Sequence, residues 1–182
     1  MTHLPIYVKI HLLMKTLYNI YLVGFMGTGK TSVGRALSKR LRLKFVDMDE
    51  SIVKKEKRSI NDIFDTEGEP YFRKVEKEAL KEVADRVAQV VACGGGIVID
   101  PENIEVMKKT GKIIALTARP QAILERTKKY THRPLLNVAE PEAKIEELLR
   151  IRRPYYAKAD FSIDTSDLSV KQVAQSIVRL LS

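Results

Sequence analysis

The chain has 182 residues, a length for one domain or one core with small insertions. Its 45% hydrophobic and 30% charged content is the ordinary balance of a soluble globular protein able to bury a core. The net charge of +9 favours anionic ligands; because the basic residues are scattered, small phosphorylated or carboxylated substrates fit better than nucleic acid. The single cysteine, Cys93, excludes an internal disulfide and suits a reducing cytoplasm, and no stretch is long and apolar enough to cross a membrane. Residues 1–17 are moderately apolar but broken by His3, Lys9, His11 and Lys15. They read as an N-terminal extension without assigned function, in which 1–13 precede a second methionine, Met14.

Ile20-Tyr21-Leu22-Val23 is a compact β-branched and apolar run, a buried strand. Gly24-Phe25-Met26-Gly27-Thr28-Gly29-Lys30-Thr31 follows and fits G-x-x-x-x-G-K-[ST]. Val33, Ala36, Leu37 and Leu41 then fall at helical spacing, so a helix opens at about Lys30. Strand, glycine loop and helix in that order form a phosphate cradle. The backbone curls so that successive N–H groups face phosphate oxygens, and the helix N-terminus adds partial positive charge. Lys30 can reach the terminal phosphates and the Thr31 hydroxyl can ligate Mg²⁺. A glycine-rich turn with a chance lysine is the plain alternative, and the flanking elements argue against it.

A second strand covers Leu43–Asp47 and a helix Met48–Glu56. Ser59 and Asp62 form a capping-box variant over another short helix, and Gly68 precedes a long one over about 69–86. Phe72, Val75, Ala79, Leu80 and Val83 make its apolar face. The third strand, Gln89–Cys93, closes on Gly94-Gly95-Gly96, and Cys93 reads as a small buried hydrophobe at its end. Pro101 starts a helix that Gly111 ends. Ile113–Leu116 is the fourth strand; Pro120 opens a helix to about Lys129; 130–140 lack periodicity and read as a loop. Glu142–Arg153 is helical until Pro154, Phe161–Asp164 is the fifth strand, and a last helix buries Val170, Val173, Ala174, Ile177, Val178 and Leu181. Strands alternating with helices give an α/β fold with a parallel sheet, whose ligands sit beyond the carboxyl ends of the strands. The glycine loop, Asp47 and Asp49, Gly94–Gly96 and Thr117–Arg119 all follow strand ends.

At that rim, one of Asp47 and Asp49 can bind Mg²⁺ through water and the other accept a hydrogen bond from a substrate hydroxyl, as a candidate base. Either can instead cap the following helix. Three successive glycines suit close approach of backbone to a ligand, or a flexible turn. Arg133 in the unpatterned loop is what a phosphoryl-transfer lid requires, and equally what an exposed loop can carry. Arg152 and Arg153 sit at a helix C-terminus, where the dipole favours cations in any case. Arg73, beside an aromatic on a helix, reads by itself as a surface residue.

Taken together these stretches resemble the shikimate kinase family. The glycine loop, Asp47-Met48-Asp49, Ser59-Ile60 through Ile63-Phe64, Gly68-Glu69 with Phe72-Arg73, Gly94-Gly95-Gly96, Arg133-Pro134-Leu135-Leu136, and Arg152 with Pro154 and Tyr156 occur in the family's order over about 18–182. The resemblance implies a P-loop kinase of the nucleoside monophosphate kinase type: a five-stranded parallel sheet flanked by helices on both faces, a substrate-binding segment over about 47–76 and a lid over about 127–140. It implies ATP- and Mg²⁺-dependent phosphorylation of the shikimate 3-hydroxyl, on the route to chorismate and aromatic amino acids, by a cytoplasmic monomer. Gly27, Thr28, Gly29, Lys30, Thr31 and Ser32 would hold the phosphates, and Arg126 would lie against adenine. Thr31 and, through water, Asp47 would hold Mg²⁺; Lys30, Asp49 and the lid arginine Arg133 would be catalytic. Asp49, Arg73, Gly94, Gly95, Gly96 and Arg152 would bind shikimate, the two arginines on its carboxylate. A gluconate-type kinase would share the phosphate loop but need another acceptor site, and a non-catalytic nucleotide-binding module would be expected to lack Lys30 or Asp49.

Overall fold

The computed structural model describes residues 18–128 and 140–181. Strand β1, Asn19–Val23, lies at the centre of a sheet ordered β2-β3-β1-β4-β5, where β2 is Lys44–Asp47, β3 Gln89–Ala92, β4 Gly111–Thr117 and β5 Phe161–Asp164. All four pairings are parallel; Tyr21 stands opposite Val91 on one side and Ile113 on the other. A central strand covered on both faces has no use for polar alternation, which is why β1 reads as an unbroken apolar run.

The two-residue period sorts its side chains between two cores. Ile20 and Leu22 join Val90, Ile114 and Leu116 beneath helices α1 (Lys30–Leu41) and α7 (Val170–Leu180), which contribute Val33, Leu37, Val173 and Ile177. Tyr21 and Val23 join Val91, Ile113 and Ala115 on the other face. That face is covered by α2 (Met48–Glu56), α3 (Ile60–Ala84), α4 (Pro101–Thr110), α5 (Pro120–Thr127) and α6 (Pro141–Tyr156). The fold expected from the sequence is the fold observed. Among the described residues no helix is long and apolar enough to cross a membrane.

Two helix boundaries differ from expectation. The short Ser59-capped helix and the long one after Gly68 run on as α3, kinked where Gly68 adopts φ 78° and ψ 176°. Ser59 and Asp62 make the reciprocal capping bonds, at 3.1 and 3.0 Å. Helix α6 does not stop at Arg153: Pro154 lies inside it. Proline removes one ladder donor, but the Ala157 N–H closes the last turn on the Arg153 carbonyl at 3.0 Å and buried Tyr156 anchors it.

The glycine loop leaves β1 through Gly24 at φ +143°, where a Cβ would run into the Leu116 carbonyl of β4. Backbone on a neighbouring strand cannot step aside. Gly24→Ala should therefore cost about 3 kcal/mol or more and lower the thermal midpoint by about 10 °C. A variant melting within about 2 °C of the parent would contradict this account of the loop.

Candidate active site

After β1 the chain crosses to one side of the sheet, and after β3 to the other, so the rim between β3, β1 and β4 opens a crevice. A cavity of about 610 Å³ lies there. Gly27, Thr28, Gly29, Lys30, Thr31, Ser32, Asp47, Asp49, Arg73, Gly94, Gly95, Gly96, Arg126 and Arg152 all line it. Arg133 lies outside the described residues.

The phosphate-loop side is built on backbone. Gly29 stands at the N-cap of α1 and accepts from the Val33 N–H at 2.8 Å. Buried Thr28 pins the turn by donating its hydroxyl to the Phe25 carbonyl at 2.8 Å. The Lys30 ammonium donates to the Gly24 and Phe25 carbonyls at 2.8 and 3.0 Å, which keeps its charge against the loop. Thr31 donates to Asp47 Oδ2 at 2.9 Å. Asp47 Oδ1 accepts from the N–H groups of Asp49 and Glu50 at 3.1 and 3.4 Å. The two sequence readings of Asp47 are therefore compatible: one oxygen caps α2 while the other faces the loop.

The opposite wall accounts for two of the three glycines, Gly94 and Gly96, which leave room for different groups. A Cβ on Gly94 would strike the Glu76 carboxylate and lie 3.3 Å from Asp49 Oδ1. One on Gly95 would point into the cradle, 3.5 Å from the Gly24 carbonyl oxygen, 3.7 Å from Arg152 Nη1 and 3.8 Å from the Met26 nitrogen. One on Gly96 would strike the Arg73 guanidinium. Arg152 lies over the Phe25 ring, 5.5 Å from its centroid. Arg73 is gripped by Glu69 at 2.9 and 3.1 Å and by Glu76 at 2.6 Å.

Glu76 and Thr165 have no counterpart among the residues expected from the sequence. Glu76 is 1% exposed and its Oε1 has no hydrogen-bond partner among the described residues. Burial pushes its carboxyl above the usual glutamate range, and Arg73 pulls the other way without cancelling the shift. Its sequence signal was an acid four residues after Phe72, on the apolar face of α3. Thr165, also buried, places its hydroxyl 3.1 Å from the Thr28 carbonyl and 3.0 Å from that of Thr117, tying the segment after β5 to the phosphate loop. Arg126 completes that tie, donating to Gly27 O, Thr165 Oγ1, Thr165 O and Ser166 O at 3.3, 3.0, 2.6 and 3.2 Å.

A folded-state carboxyl raised above its unfolded value adds stability at low pH, and that contribution is lost as pH rises through the raised value. Glu76→Gln should thus flatten the fall in thermal midpoint as pH rises above the ordinary glutamate range. It should also loosen Arg73, whose shortest partner loses its charge. Superimposable pH–stability curves for parent and variant would remove Glu76 from this account.

The shikimate kinase family model matches residues 26–182. The chain belongs to the shikimate kinase family. The shikimate kinase of Thermodesulfovibrio yellowstonii is 48% identical over 161 residues, 88% of this chain and 93% of the relative. That of Caldanaerobacter subterraneus is 45% identical over 161 residues, 88% and 94% of the two chains. The structure of Acinetobacter baumannii shikimate kinase in complex with shikimate superposes with a TM-score of 0.89 at 41% identity, over 94% of this chain and 96% of that one. The matched residues take in Gly27–Ser32 of the phosphate loop and the wall that faces it.

Proposed function

We infer that this protein transfers the γ-phosphoryl group of ATP to the 3-hydroxyl of shikimate, in the pathway to chorismate and the aromatic amino acids. The observation that carries the reading is a single cavity with a phosphate loop on one wall and, facing it, Asp49 and two guanidinium groups, Arg73 and Arg152. A carboxylate-bearing polyol is the acceptor such a wall is made for. Guanidinium forks bind carboxylates bidentately, giving orientation as well as affinity.

The cradle fits a triphosphate: Gly95 leaves open the space that a Cβ would fill, between the loop and Arg152. Gly27, Thr28, Gly29 and Ser32 would present backbone donors to it, and Lys30 a point charge. The Thr31 hydroxyl and Asp47 carboxylate, 2.9 Å apart, fit Mg²⁺, which takes one or two protein oxygens and completes its shell with phosphate oxygens and water. When bound, the ion offsets charge on the β- and γ-phosphate oxygens. Asp49 would accept the hydrogen bond of the attacking hydroxyl and aim it in line. Arg126 is held edge-on by backbone carbonyls, which would leave its planar face for adenine. Arg133 would close over the transferring group and exclude water. The reading is that of a monomer. The reading calls for no nucleic acid or membrane partner and is that of a cytoplasmic enzyme.

A coupled ADP-release assay with ATP, Mg²⁺ and a panel of acceptors tests it. Turnover should be strong with shikimate and negligible with gluconate or other polyols. Absence of turnover on shikimate with good activity on another polyol would overturn the assignment.

A further inference from the structure

Tyr156 is a buried aromatic in the last turn of α6, and no substrate or cofactor role assigned above uses it. Its hydroxyl donates to the Gly95 carbonyl at 2.7 Å, across 61 residues of sequence. Arg152 sits one turn earlier on the same helix, so the two side chains leave α6 on one face. The Arg152 guanidinium acts on that same hydroxyl, and its Nη1 lies 3.7 Å from where a Gly95 Cβ would stand. Between them is Pro154, whose missing N–H takes a rung from the helix where it must aim Arg152.

We propose that Tyr156 is a positioning residue for the acceptor carboxylate, locking the Arg152-bearing end of α6 to the Gly95 carbonyl so that guanidinium and glycine loop receive substrate as one unit. The lock holds over the working range of pH. Burial pushes the phenol up to about 12, against the pull of Arg152, so it remains a donor at neutrality. A buried tyrosine that merely satisfied its hydroxyl would stabilise the fold as well. It would not distinguish a substrate with a carboxylate from one without.

The inference rests on Arg73 and Arg152 binding the carboxylate, and shikimate methyl ester separates the two claims. In the full-length enzyme, Tyr156→Phe should raise KM for shikimate about tenfold, with KM for ATP unchanged and kcat within about threefold. With the ester, parent and Tyr156→Phe should share one KM. Tyr155→Phe, an alteration of the neighbouring phenol, should match the parent throughout. An unchanged shikimate KM in Tyr156→Phe overturns the proposal, as does an equal loss on acid, ester and ATP, which marks a structural role only. A parent enzyme that does not discriminate acid from ester overturns the carboxylate assignment first and this inference with it. Hydrogen exchange on the unaltered protein gives a readout that needs no variant. Shikimate should slow exchange in 150–157 and 94–97 together and the ester in neither, whereas protection of one segment alone would break the proposed unit.

Discussion

Lys30→Met should lower kcat with shikimate by about 10²- to 10³-fold, the loss typical of removing one preorganised donor from a developing anion. Methionine keeps most of the stem and removes the charge, so the comparison isolates the ammonium. In the structure that ammonium is held by the Gly24 and Phe25 carbonyls, on the loop whose N–H groups open α1. Phosphoryl transfer gives a protein little covalent chemistry to perform, so positioning and charge stabilisation carry almost all of the acceleration. A loss of that size corresponds to about 3–4 kcal/mol of transition-state stabilisation. Lysine also touches ground-state phosphates, so KM for ATP should rise about tenfold. Initial rates at saturating shikimate, with the thermal midpoint as a check on folding, measure both quantities. A kcat within about fivefold of the parent would mean that the loop binds nucleotide without using Lys30 in transfer.

What the sequence disclosed and what it concealed divide along a physical line. Features fixed by local chain chemistry were legible: the buried run of β1, the glycines and lysine of the cradle, the Ser59–Asp62 cap and the parallel alternation of strands and helices. Features that depend on what faces what were hidden. Arg73 looks like a surface arginine because nothing in its neighbourhood says that its turn of α3 meets the Gly96 backbone; the family resemblance, not the periodicity, directed attention to it. Glu76 was concealed among lysines and glutamates, although its place on the apolar face marked it. Thr165 acts through carbonyls 137 and 48 residues away, and no local pattern encodes that. Proline at 154 read as a helix end because it usually is one; here the Ala157–Arg153 bond and buried Tyr156 accompany the continuation of α6. The triple glycine was readable as close approach, but not that Gly94 makes way for Glu76 and Gly96 for Arg73.

Asp49→Asn should reduce kcat by about 10²-fold, at the lower end of what general acid–base groups contribute, and leave ATP affinity unchanged. The two side chains have nearly the same shape, so the first turn of α2 and the Asp47 cap should survive. Asparagine can still accept one hydrogen bond, and what disappears is the negative charge beside the acceptor hydroxyl. In a largely dissociative transition state little proton transfer has occurred when the phosphoryl group is midway, which is why the expected loss is modest for a base. The charge also acts on a neighbour. Asp49 helps push the Glu76 carboxyl up, so removing it should move Glu76 back toward the ordinary glutamate range. The sign follows: with Asp49 neutral, Glu76 stays ionised, and keeps its grip on Arg73, to lower pH. The acid limb of kcat/KM for shikimate should therefore shift to lower pH in Asp49→Asn even as the plateau falls. A pH–rate series on the parent and variant reads both effects at once. A lowered plateau with an unmoved limb would uncouple the two carboxylates, and a plateau within about threefold of the parent would take Asp49 out of the transfer step altogether.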